Sequence, residues 1–136
     1  MNTQADTGLT HARVTQPMSG WVRLAAILLV FAGAFNVIHG FTLLDHDHYV
    51  ADRLDYGNFT FWGWAFLVGG VVQIASAIAV FQRRLIGYQT GVVLAVTAIV
   101  LWFFMMFSAP FPAMVGTIVN LCILYGLTVG AEDDWS

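Results

Sequence analysis

Residues 21–44 read WVRLAAILLVFAGAFNVIHGFTLL, and after Arg23 no acidic or basic side chain other than His39 interrupts them. At about 1.5 Å of rise per residue such a run reaches roughly 36 Å as a helix, enough to cross a hydrocarbon core of about 30 Å. Three further runs share this character: about Phe61 to Phe81, Gly87 to Phe107 and Pro112 to Gly130. Four spans with short connections fill most of the 136 residues. The fold class read from them is all-α, a polytopic membrane protein built as a four-transmembrane-helix bundle, with a short amphipathic external loop between helices 1 and 2.

Composition agrees with that reading. The chain is 59% hydrophobic and 10% charged, with a mean hydropathy of +0.76, whereas soluble domains carry about 25% charged residues. Every basic residue is an arginine and the net charge is −3. That balance argues against nucleic acid, which demands a dense basic face. The single cysteine, Cys122, lies inside the last apolar run. No disulfide framework or paired-cysteine redox site can be built from it, and it reads as a small buried apolar residue.

The domain organisation expected is a flexible cytoplasmic tail over residues 1–19, a transmembrane domain over 20–130 and an acidic cytoplasmic tail over 131–136. Ser19 and Asn58 stand where N-caps of the first two spans would be. Pro110 and Pro112, behind Ser108, mark a sharp turn, and Pro112 suits the first turn of the fourth helix. Arg13, Arg23, Arg83 and Arg84 fall on one side of the spans and Arg53 on the other. Positive charge is retained in the cytoplasm, so both termini are expected there and the 45–58 loop outside. Aromatic side chains gather near the span ends as interfacial belts.

Between membrane helices, close packing and polar contacts replace the hydrophobic drive, so small residues and isolated amides mark the expected seams. Gly87, Gly91 and Ala95 recur four apart on the third helix, Gly126 and Gly130 on the fourth, and Gly33 and Gly40 lie on the first. A weak internal echo joins Gly33-x-x-Asn36-x-x-x-Gly40 to Gly70-x-x-Gln73-x-x-x-Ala77. Asn36, Gln73 and Asn120 are the deepest strongly polar side chains. Matched depth suggests that Asn36 and Asn120 bond each other, as register fixers or as the lining of a ligand path.

One constellation has the flavour of a site. Asp45, His46, Asp47 and His48 follow the first span, with His39 near its end. Imidazoles and carboxylates together can hold zinc or copper. The spacing matches no established site, and H-x-H shares a face in a strand but not in a helix. The plain alternative is a short interfacial helix over about residues 47–54, its charges wetted. His39 is the only ionisable group placed to lie within the hydrocarbon, either as a functional group or as a hydrogen-bond donor to a carbonyl near the interface.

A set of short motifs runs over about residues 20–130: Gly20-Trp21, the Gly33/Asn36/Gly40 motif, Asp47-x-Tyr49, Trp62-Gly63-Trp64 with Gly69, Arg84-x-x-Gly87, and Asn120 with Tyr125-Gly126-Leu127. Together they make the sequence resemble an uncharacterised actinobacterial family of small four-helix integral membrane proteins. The resemblance implies four spans and a bacterial plasma membrane, and brings no activity. With no intramembrane carboxylate, paired cysteines, facing haem histidines or hydrolase motif, a non-enzymatic role is expected without a cofactor. The favoured role is a structural or accessory subunit, packing with itself or a larger membrane complex among membrane lipids through small-residue faces. The alternative is a binding or transport module for a divalent metal or an apolar small molecule at the outer leaflet.

Overall fold

The computed structural model describes residues 17–50, 59–107 and 109–135. Four helices account for nearly all of them: α1 Gly20–Val50, α2 Phe59–Phe81, α3 Leu85–Met105 and α4 Pro110–Trp135. All four are long and apolar enough to cross a bilayer. No strand occurs among the described residues.

Local chemistry sets the helix ends. The Ser19 carbonyl accepts the N–H of Arg23 at 3.0 Å, opening α1. At the far end of α2 the Arg84 N–H reaches back to the Ala79 carbonyl and the Arg83 N–H to the Val80 carbonyl, both at 2.9 Å. These paired bonds form a Schellman closure, whose pivot is ordinarily glycine because its backbone is left-handed. Here the pivot is Arg83, at φ 56. Arg84 then stands extended as the N-cap of α3. Pro110 and Pro112 sit in the first turn of α4, where a missing N–H costs no intrahelical bond.

Two boundaries differ from the sequence reading. The first helix does not stop at Leu44 but runs through Val50, so Asp45–Val50 continues α1 and does not belong to a separate interfacial helix. Nothing in these six residues breaks a helix. The acidic residues from Glu132 likewise continue α4, which ends at Trp135. Residues 1–16 of the N-terminal tail and residues 51–58, Asn58 among them, lie outside the described residues.

The helices alternate in direction and close a ring in which α1 packs on α2 and α4, and α3 packs on the same two. The α1–α2 seam is the most extensive. Gly40 packs against Gly63, so α1 overruns the start of α2 by about 9 Å at 1.5 Å per residue. The core is thin and built of small and aliphatic side chains, with Val22, Ala25, Ala26 and Leu29 from α1 meeting Ala77, Val80, Ala95, Ile123 and Leu127. The perimeter carries the bulk: Phe31, Phe35, Ile38, Phe41, Phe103, Phe104 and Phe111 are exposed. This inversion suits lipid, which solvates large apolar side chains as well as a protein interior does.

Candidate functional site

A polar layer crosses the middle of the bundle. Asn36 Nδ2 donates to Gln73 Oε1 at 2.6 Å, joining α1 to α2. Gln73 is buried, with Asn36 half-buried beside it. The two motifs that echo each other in sequence therefore face each other across one seam, with Gly33 packed on Gly70 and the two amides bonded. Asn120 does not take part in that bond. Its Nδ2 donates to the Gly116 carbonyl one turn earlier in α4, at 2.8 Å, and its buried Oδ1 has no hydrogen-bond partner. The pairing of Asn36 with Asn120 expected from matched depth fails because depth ranks residues along a helix without saying which way they point.

Ser76 adds a second polar tie that the sequence reading passed over. Its Oγ donates to the Gly87 carbonyl at 2.9 Å across the α2–α3 seam. Five threonines, Thr42, Thr90, Thr97, Thr117 and Thr128, instead return their hydroxyls to carbonyls four residues back in their own helices. Such bonds satisfy a hydroxyl locally, so threonine tolerates an apolar environment without a partner helix.

His39 lies on α1 near the end opposite the chain termini. Its ring meets Phe66 edge-on, with centroids 5.0 Å apart and planes at 88°. Trp62 leans on the same Phe66, and Phe61 on Trp62, extending a partly exposed aromatic patch along α2. Asp45 is exposed at the end of the described side chains. Positions 46, 47 and 48 fall in the last turns of α1, and their side chains lie outside the described residues. The helical backbone puts positions 46 and 48 on different faces. Among the described residues no group of three or more His, Cys, Asp or Glu could hold a metal ion. Cys122, expected to be buried, is exposed on the outer face of α4.

The glycines are the most constrained positions. A Cβ on Gly33 would stand 2.8 Å from the Gly70 carbonyl oxygen, and one on Gly40 2.7 Å from that of Gly63. Gly87 lies against the Val80 and Ala79 backbone, Gly91 against Leu127, Gly126 against the Trp21 carbonyl, and Gly130 against Val22. Gly63 and Gly70 make up the other half of the first seam, and the Trp102 indole rests on Gly116. Sequence reasoning did not single out Gly63 or Gly116 as seam residues, and the tryptophans beside them read as belts. Only antiparallel register brings Gly63 opposite Gly40.

A family model described as a domain of unknown function, DUF7144, matches residues 21–132, from the start of α1 to the last turn of α4. No curated protein and no solved structure matches the chain.

Proposed function

We propose that this chain, which belongs to the DUF7144 family, is a non-catalytic accessory subunit of a bacterial plasma membrane, packing with itself or with a larger membrane complex. The observation that carries the reading is its perimeter. In the most apolar window of each helix only 22–33% of the residues are buried within the chain. The rest is a continuous apolar surface, far larger than the patches soluble monomers leave uncovered, and suited to lipid and to other membrane helices. Meanwhile, apart from Asn120 Oδ1, the interior amides and the Ser76 hydroxyl are spent on one another or on backbone: Asn36 on Gln73, Ser76 on the Gly87 carbonyl and Asn120 Nδ2 on the Gly116 carbonyl.

One element of the sequence reading shifts. Most of the small-residue faces are consumed inside the bundle, and among the described glycines only Gly20 and Gly69 have open space beside them. A partner therefore meets mainly large side chains, such as Phe31, Phe35 and Phe41 on α1 or Phe103 and Phe104 on α3. The expected orientation keeps both termini in the cytoplasm, supported by Arg23, Arg83 and Arg84 at the terminal end of the bundle.

Mild-detergent purification from native membranes tests the role. A stoichiometric companion, or a second copy, should remain attached, and a monodisperse lone monomer would overturn the reading. Sidedness is tested by a thiol introduced as Asp52→Cys in a Cys122→Ser background. Impermeant reagent should label it in intact cells, and labelling only after lysis would reverse the orientation.

A second reading rests on the His39, Phe66 and Trp62 cluster, whose imidazole and exposed rings suit an apolar small molecule carrying one hydrogen-bonding group. A lipid-soluble photoaffinity probe should then label α2 near Phe66 and lose that site in His39→Ala. Labelling indifferent to the substitution would dismiss it.

A further inference from the structure

The two halves of the ring occupy equivalent places. Along α2 from 61 to 80, nineteen of twenty positions are buried, half-buried or exposed just as the position fifty residues later in α4 is, the exception being Ala79 against Val129. Only Phe61 and Phe111 are identical over that stretch. The agreement therefore reports placement and not residue type. The α1–α2 hairpin and the α3–α4 hairpin stand about an approximate two-fold axis along the bundle, and the α1–α4 seam corresponds to the α2–α3 seam.

Gly91 on Leu127 and Gly116 on Trp102 pack the second hairpin on itself, but at the seams between the hairpins glycine use breaks that symmetry in one direction. Gly33, Gly40, Gly63 and Gly70 of the first hairpin all face α1 or α2, closing that hairpin on itself. In the second hairpin Gly87 faces Ala79 and Val80 of α2, while Gly126 and Gly130 face Trp21, Val22 and Ala25 of α1. At matching positions α2 carries Val80, whose backbone nitrogen lies against Gly87, whereas α4 carries Gly130, which receives the Val22 side chain. Both seams between hairpins thus carry these glycines on the second hairpin and larger residues on the first. Gly87 and Gly126 meet backbone, so no rotamer change on the first hairpin makes room for a side chain there.

We infer that the chain assembles from two unlike, complementary hairpins: α1–α2 is a unit closed by its own glycines, and α3–α4 docks on it through a surface made by Gly87, Gly126 and Gly130. Pairing of like hairpins is disfavoured. Two copies of the first would oppose bulk to bulk, with Val80 in place of Gly130 against Val22. The partner that fits the second hairpin's surface is the first hairpin of this chain, and that docking interface can open while the first hairpin stays closed.

The test uses the full chain in its membrane, in the Cys122→Ser background, with two cysteine-pair reporters. Trp21→Cys with Tyr125→Cys reads the α1–α4 seam, where the native rings lie 5.3 Å apart. Asn36→Cys with Gln73→Cys reads the first hairpin. Adding Gly126→Leu should cut cross-linking of the first pair by about fivefold or more, the effect of a small loss in docking free energy, and leave the second unchanged. Adding Gly70→Leu should reduce both, because the platform itself opens. The inference is overturned if Gly126→Leu lowers both yields together or neither, or if Gly70→Leu spares the α1–α4 cross-link.

Discussion

Asn36 donates its side-chain amide to the Gln73 carbonyl oxygen over 2.6 Å, three residues along each helix from the point where Gly33 and Gly70 touch. Because glycine lets the two backbones approach there, amides of ordinary reach can bridge the seam. Close packing and the polar tie are thus two parts of one contact.

That contact has a measurable coupling. Interhelical side-chain bonds in lipid are worth about 0.6–2 kcal/mol. Asn36→Leu and Gln73→Leu should each destabilise the bundle, and the double variant should lose less than the sum, with a coupling of about 1 kcal/mol in a reversible unfolding assay. Strict additivity would mean that the bond contributes nothing.

Neighbouring glycines on α2 should behave oppositely. Gly70→Ala places a Cβ 2.6 Å from the Gly33 carbonyl oxygen and should cost about 1–3 kcal/mol. Gly69→Ala meets nothing within 4 Å and should gain up to about 1 kcal/mol from helix propensity. Thermal unfolding in detergent separates the two, and equal effects would refute the packing account.

Arg83 holds the left-handed pivot of the α2–α3 turn. A side chain there costs about 1–2 kcal/mol relative to glycine. Arg83→Gly should therefore raise the unfolding midpoint. Under the proposed orientation the arginine is retained for its charge, because basic residues in a turn favour the cytoplasmic side. The same variant should show more inverted chains in a sidedness assay when Arg84 is also neutralised; unaltered sidedness would detach the strain from that role.

Asn120 carries a buried acceptor without a partner. An unmet buried polar group costs about 1–3 kcal/mol. Asn120→Leu, of comparable bulk, should be neutral or stabilising, whereas Gln73→Leu should destabilise by stranding the Asn36 amide. Loss of stability in Asn120→Leu comparable to that in Gln73→Leu would show that Oδ1 is satisfied in the membrane.

Much of the architecture was legible in the chain and much of the site was not. Four apolar runs announced α1 to α4 with starts displaced by about two residues, and the apolar spans of α1 and α4 end close to where they are expected, at Asp45 and Gly130. The helices themselves continue past those ends, because Asp45–Val50 and Glu132–Trp135 are chemically free to remain helical although hydropathy stops there. The small residues at 87, 91, 126 and 130 were recognisable from their spacing. Gly63 and Gly116 were not, because each meets its contact through register with another helix and not through a repeat in its own.

The sequence by itself determined how many helices there are, roughly where they run and that each is apolar enough to cross a bilayer, because hydropathy sums over a local stretch and needs no partner. Tertiary structure alone decided that Asn36 meets Gln73, that Asn120 turns back on its own helix, that Cys122 faces outward and that Gly87, Gly126 and Gly130 lie on one side of the seams between the hairpins. Lipid and protein interior are equally apolar, so no hydrophobic stripe marks the face of a membrane helix that will be buried. That choice is made by steric fit between helices, which exists only once they are side by side.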